Sequence, residues 1–103
     1  MKLIQSYDEI QNVINKEFVM ILAKSHTCSI CNTIQNTLER AIPNLDQIEI
    51  HSIYIDDIDQ FRGDHLIFSV PTVLIFSEGK ELLRESRYIN YDKITRLIDL
   101  YKN

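Results

Sequence analysis

The apolar run from Phe18 to Ala23 is followed closely by Cys28 and Cys31, the only two cysteines of the chain. The run contains β-branched residues and is too short for a buried helix, so it predicts a central strand that ends at Lys24. A helical pattern then begins at Cys28. Two thiols three residues apart on the first turn of a helix lie on one face, with Cα atoms about 5 to 6 Å apart, as a disulfide requires. The spacing and its context therefore predict a redox-active pair.

The two cysteines are expected to have different roles. The free N–H groups and the positive end of the helix dipole stabilise a thiolate most at the first position, so Cys28 is the predicted nucleophile and Cys31 the resolving thiol. Two alternatives stay open. One is metal binding, for which a structural zinc needs four ligands and the chain adds only His26, His51 and His65. The other is an inert pair in an interaction module.

Hydrophobic periodicity divides the rest of the chain into helices and strands. A capping box that begins at Ser6 predicts the start of the first helix, and Glu78-Gly79 predicts a hairpin turn. The acidic run from Asp56 to Asp59 is expected to be a solvated loop with a helix-capping aspartate. The predicted elements are a short strand at 2–5, helix 7–17, strand 18–24, helix 28–42, strand 48–55, a weak helix ending near 63–67, strands 70–76 and 80–87, and helix 91–101.

This order of elements predicts the α/β class. Strands that alternate with helices and close in a hairpin imply one mixed sheet with helices on both faces. A chain of 103 residues is expected to form a single domain over 1–103, since it can build one hydrophobic core but not two.

Composition and charge argue against several kinds of partner. The chain is 45 % hydrophobic and 25 % charged, which is typical of a soluble globular protein. Its net charge of −4 argues against nucleic-acid and membrane partners, because both surfaces are anionic. The N-terminal segment lacks the apolar core of a signal peptide, so the expected localisation is cytoplasmic. Thiols stay reduced there, and a lone C-x-x-C motif is then more often catalytic than structural.

Three features resemble the thioredoxin family over nearly the whole chain. They are the C-S-I-C motif at 28–31 after the central strand, the V-P-T motif at 70–72 that opens a later strand, and the E-G turn at 78–79. The resemblance implies a thioredoxin fold with a central mixed sheet of four or five strands. It also implies a thiol–disulfide oxidoreductase that acts on protein or low-molecular-weight disulfides without a bound cofactor. An external reductant, either a flavoprotein reductase or a small thiol, would recycle it.

The resemblance further implies where substrates bind. In the family the proline of V-P-T is cis, and its loop hydrogen-bonds an extended substrate, so Val70 and Pro71 are expected to shape the cleft. Thr27 stands where the family carries a tryptophan beside the nucleophile. Arg87 stands near a family glycine on the substrate-facing rim. It fits either a solvated residue at the end of a strand or a cation that binds a carboxylate or phosphate group of a substrate.

Other departures from the family pattern concern proton transfer. The buried aspartate and lysine of the family fall on Leu22 and near Ser52. Replacement of both residues together is physically reasonable, because replacement of one alone would leave a buried charge without its partner and would destabilise the fold by about 3 to 5 kcal/mol. His26 is a candidate modulator that would favour the Cys28 thiolate or relay a proton, although it also fits an ordinary exposed loop residue. The alternative function is a thioredoxin-fold interaction or chaperone module with slow or no redox turnover.

Overall fold

The structure is a computed structural model that describes residues 1–102. Within them it contains the strands β1 (Lys2–Leu3), β2 (Val19–Lys24), β3 (Glu49–Tyr54), β4 (Thr72–Ser77) and β5 (Lys80–Ser86). The helices are α1 (Tyr7–Ile14), α2 (Cys31–Ala41), α3 (Asp59–Asp64) and α4 (Tyr91–Lys102), and a short 3-10 helix spans Leu45–Gln47. No helix among residues 1–102 has both the length and the apolar character that a membrane span needs.

The strands form one mixed sheet in the order β1-β3-β2-β4-β5. β1 and β2 run parallel to β3, whereas β4 runs antiparallel to β2, and β5 runs antiparallel to β4. β2 therefore lies at the centre, and all of its residues are buried. The predicted α/β class and the mixed sheet with helices on both faces are confirmed, with five strands.

Alternate side chains of β2 enter two apolar cores, because successive residues of a strand point to opposite faces of the sheet. Val19, Ile21 and Ala23 join the core that α1 and α3 cover. Met20 and Leu22 join the core that α2 and α4 cover. The central strand thus holds both layers of helices against the sheet.

α1 ends at Ile14, three residues earlier than predicted, because the hairpin turn between β4 and β5 bonds to the segment after it. Gly79 N–H donates to Ile14 O at 2.8 Å, and Glu78 N–H donates to Lys16 O at 2.7 Å. The turn is the predicted one, and its residues have φ of 51° and 86°, as a two-residue type I′ turn requires. A Cβ atom at Gly79 would lie 2.8 Å from Asn15 Oδ1, so glycine is needed there for space as well as for φ.

Candidate redox site

Four segments of the chain meet at one edge of the sheet. The register of β2 and β3 pairs Lys24 with Tyr54, the last residues of the two strands. On the other side of β2, Ala23 pairs with Thr72 at the start of β4, and Thr72 pairs with Ser86 at the end of β5. The segments that follow β2, β3 and β5 therefore lie near the segment that precedes β4.

The segment after β2 carries both cysteines, and a disulfide joins them. The Cα atoms of Cys28 and Cys31 are 5.5 Å apart, within the range that their spacing predicts. Cys31 is 2 % exposed and Cys28 is partly exposed. An incoming molecule therefore reaches Cys28 more easily than Cys31.

The prediction that both cysteines lie in the first turn of a helix is wrong. α2 begins at Cys31, and Cys28 lies in the preceding turn, where its N–H donates to Ser25 O at 3.2 Å. The N-cap residue is Ile30, whose side chain has no oxygen that could accept a hydrogen bond from the free N–H groups at the start of α2. Ile30 is also 54 % exposed, so it lies outside the buried stripe of the helix.

The loop before β4 lies at the same edge. The Val70-Pro71 peptide bond is cis, as the resemblance implies, and Pro71 is buried while Val70 is half-buried. Arg87 N–H donates to Pro71 O at 3.4 Å, so the end of β5 lies against this loop and the Arg87 side chain is exposed beside it. Thr27 is exposed next to Cys28.

The sequence matches the family model described as Thioredoxin over residues 3–100. The chain belongs to the thioredoxin family. Thioredoxin-like protein YdfQ of Bacillus subtilis is 28 % identical over 104 residues, which cover 96 % of this chain and 93 % of that protein. The solved thioredoxin of Malassezia sympodialis has a TM-score of 0.83 at 21 % identity, over 100 % of this chain and 91 % of that one. Oxidised thioredoxin of Plasmodium falciparum has a TM-score of 0.81 at 19 % identity, over 100 % and 99 % of the two chains.

Thioredoxins of the usual pattern carry a glycine near Arg87, and the structure supplies a physical reason for that preference. Arg87 has φ of 65°, in the left-handed region that glycine adopts without strain. An arginine at this position therefore accepts a less favourable backbone conformation than a glycine would.

This thioredoxin-family chain also has an apolar residue at the position of the family's buried aspartate. Leu22 is fully buried in the core under α2 and α4, and it pairs in register with Ser52, which is 4 % exposed. The two positions are directly opposite on neighbouring strands. Replacement of both members of a charged pair therefore leaves neither charge buried without its partner.

His26 is bound to the acidic segment that follows β3. Its N–H donates to Asp56 Oδ2 at 3.0 Å, its Nε2 lies 2.9 Å from Asp57 Oδ2, and its ring stacks on Tyr54 with centroids 3.8 Å apart. The hydrogen bond to Asp57 is the main cause that raises the pKa of His26 above its usual value, and the charges of both aspartates add to it. The expected helix-capping aspartate is wrong in this run, because Ile58 is the N-cap residue of α3.

The three histidines considered as metal ligands lie in three different surroundings. The ligand atoms of His26, Asp56 and Asp57 are all within 4.8 Å of one another on exposed residues, and the two aspartates are hydrogen-bonded to His26. His51 is buried on β3 with its Nε2 2.6 Å from Glu49 Oε2. His65 follows α3 and packs against aromatic rings.

Sequence reasoning missed Lys24, which is only 6 % exposed at the end of β2. Its Nζ donates to Gln35 Oε1 at 3.0 Å and lies 4.7 Å from the centroid of the Tyr54 ring. The available signal was a lysine at the end of a strand predicted to be covered on both faces, four residues before the first cysteine.

Proposed function

We propose that this chain is a cytosolic thiol–disulfide oxidoreductase in which Cys28 and Cys31 exchange electrons with protein or low-molecular-weight disulfides. The observation that carries the proposal is the joined pair itself. One partly exposed and one buried cysteine form a disulfide at the sheet edge that also holds the cis Val70-Pro71 loop. The disulfide is the product that one turnover as a reductant would leave.

The reaction proceeds by two thiol–disulfide exchanges. The Cys28 thiolate attacks one sulfur of the substrate disulfide, forms a mixed disulfide and releases the other substrate sulfur as a thiolate. Cys31 then loses its proton and attacks the sulfur of Cys28, which releases the second substrate thiolate and closes the Cys28–Cys31 disulfide. Two electrons pass to the substrate. A flavoprotein reductase or a small thiol returns them to the chain.

A turnover assay tests this function. The native chain is expected to accelerate the reduction of insulin disulfides by dithiothreitol, and Cys28→Ser is expected to reduce them no faster than dithiothreitol alone, because it lacks the nucleophile. Precipitation of the insulin B chain reports the rate. Equal rates for the native chain and Cys28→Ser, with both folded, would contradict the proposal.

One observation favours the second candidate, an interaction or chaperone module with slow or no redox turnover. Leu22 occupies the buried position at which the family carries an aspartate, so the chain lacks that carboxylate for proton transfer with Cys31. The same insulin assay separates the two functions. A chaperone module would suppress aggregation of a denatured protein equally well with Cys28→Ser.

Arg87 is proposed to favour anionic disulfides, with Thr27, Val70 and Pro71 shaping the rest of the cleft. The backbone N–H of Arg87 is bonded to Pro71 O and its side chain is exposed, which supports a position on the rim of that cleft. An exposed ion pair changes selectivity only modestly, so Arg87→Gln is expected to lower kcat/KM for oxidised glutathione by about two- to fivefold. The kcat/KM for the neutral bis(2-hydroxyethyl) disulfide should change little. The difference between the two substrates should shrink at high salt. Equal losses on both substrates would leave Arg87 without this role.

His26 is proposed to favour the Cys28 thiolate as a cation two residues away. Because its pKa is raised, chiefly by the hydrogen bond to Asp57, His26 holds its proton to higher pH than a free histidine. The stabilisation of the fold by this pairing is full at pH values below the usual histidine pKa of 6.5 and is lost as pH rises through the raised pKa of folded His26. NMR titration of the His26 ring is expected to show a lower pKa in Asp57→Asn. His26→Asn is expected to slow alkylation of Cys28 by roughly threefold near neutral pH. An unchanged alkylation rate would make His26 an ordinary loop residue.

A further inference from the structure

Lys24 is a buried cation that pairs with no acid among residues 1–102. The ion pairs of the described chain use other cations, namely Lys16, Arg62, Arg84 and Lys93, and the carboxylates of Asp57 and Glu49 are paired with the histidines His26 and His51. The nearby carboxylates Asp56 and Asp57 are bonded to His26 instead. Burial of an ammonium group without an anion is costly, because it gives up water. A neutral amide and an aromatic face compensate for only part of that loss.

Its contacts place Lys24 beside the cysteine pair. Nζ is bonded to Gln35, which follows Cys31 by one turn of α2, so the Cβ atoms of Gln35 and Cys31 lie on one face of the helix, about 5 to 6 Å apart. Lys24 also precedes Cys28 by four residues, across the turn in which Cys28 N–H donates to Ser25 O. Both Lys24 and Cys31 are almost fully buried. The cation and the disulfide therefore lie in the same partly desolvated part of the sheet edge.

We propose that the missing anion of Lys24 is the thiolate that forms when the Cys28–Cys31 disulfide is reduced. This inference rests on the proposed redox function. A two-electron reductant such as dithiothreitol converts the disulfide into two sulfhydryl groups and is itself oxidised to a disulfide. One sulfhydryl then gives its proton to solvent, and the protonated Lys24 stabilises the thiolate that remains. Lys24 thus increases the thiolate fraction and favours the reduced form.

The groups around Lys24 must be considered when the thiolate fraction is measured as a function of pH. Gln35 and the Tyr54 ring contact Nζ directly, and His26 stacks on the same ring with Asp56 and Asp57 bonded to it. The Lys24 charge reaches His26, since it opposes the rise that the Asp57 hydrogen bond causes in the His26 pKa. His26 titrates in the same region of pH as the thiol, so its titration must be followed separately.

Titration of the reduced protein tests the proposal. Ultraviolet absorbance of the thiolate is followed against pH in the native chain, Lys24→Met, Lys24→Arg and the control Lys80→Met, which removes an exposed lysine at the start of β5. Lys24→Met is expected to lower the thiolate fraction near neutral pH by roughly three- to tenfold, which is the size of effect that loss of one partly screened charge gives. Lys24→Arg should recover most of it, and Lys80→Met should match the native chain. The equilibrium with dithiothreitol should shift toward the disulfide by a similar factor only in Lys24→Met.

Identical titrations for native protein and folded Lys24→Met would overturn the proposal. If Lys24→Met does not fold, NMR of the native chain decides: the Lys24 side-chain signals should change on reduction and follow the thiolate titration, whereas those of Lys80 should not. Lys24 signals that stay unchanged would also overturn it. Neither measurement needs an external substrate. A chain that fails to reduce insulin but shows these shifts would contradict the oxidoreductase function and leave the Lys24 inference intact.

Discussion

Cys31→Ser is expected to stay covalently joined to its substrates, whereas Cys28→Ser is expected to form no adduct. In the proposed mechanism, the partly exposed Cys28 makes the mixed disulfide, and Cys31, which is 2 % exposed, breaks it. Without Cys31, the mixed disulfide persists until an external thiol cleaves it. Turnover should then fall to the rate of the reductant alone in both variants.

Mass spectrometry of each reduced variant after mixing with insulin measures the adduct. The expected Cys31→Ser adduct has the mass of the protein plus one whole insulin molecule, because opening one disulfide leaves the two insulin chains joined by another, and dithiothreitol removes it. Cys28→Ser serves as the matched control, because it keeps one thiol and the same serine substitution. Stable adducts with Cys28→Ser and none with Cys31→Ser would reverse the two roles.

Leu22→Asp is expected to destabilise the fold by about 3 to 5 kcal/mol near neutral pH, because it removes a fully buried apolar side chain and buries a carboxyl group. Burial raises the pKa of such a carboxyl above its unfolded value. The loss of stability relative to the native chain should therefore be smallest at low pH, where the carboxyl group is protonated in both states, and should grow as pH rises. Urea unfolding of the native chain and the variant at several pH values measures this change in the free energy of unfolding.

The same substitution tests what limits the second exchange. If proton removal from Cys31 is slow, Leu22→Asp should speed resolution of a mixed disulfide relative to Leu22→Asn, which has the same shape without the charge. Stopped-flow kinetics with a mixed disulfide on Cys28 gives both rates. Should Leu22→Asp not fold, addition of Ser52→Lys on the paired position of β3 supplies a partner for the carboxylate. Equal rates in the Asp and Asn variants would show that another group already removes the proton.

Most of the fold could be predicted because the signals are local. Alternation and β-branching predicted strands that differ from the observed β2 and β3 by only one residue at their ends. One of the boundaries that were wrong depends on contacts from elsewhere in the chain, because hydrogen bonds from Glu78 and Gly79 determine the end of α1. The later start of α2 is a local matter, and its N-cap residue is Ile30, which makes no side-chain capping hydrogen bond.

The sequence by itself determined the order of the elements, the hairpin turn and the distance between Cys28 and Cys31, since these follow from short-range spacing. Only the tertiary structure decided the surroundings of the disulfide. Lys24 meets Gln35 across 11 residues, and His26 meets Asp57 across 31. Such contacts depend on which strand ends lie side by side and on which polar groups are cut off from water. Local periodicity carries neither kind of information, so it did not single out Lys24, which the structure buries at the sheet edge that also holds the cysteines.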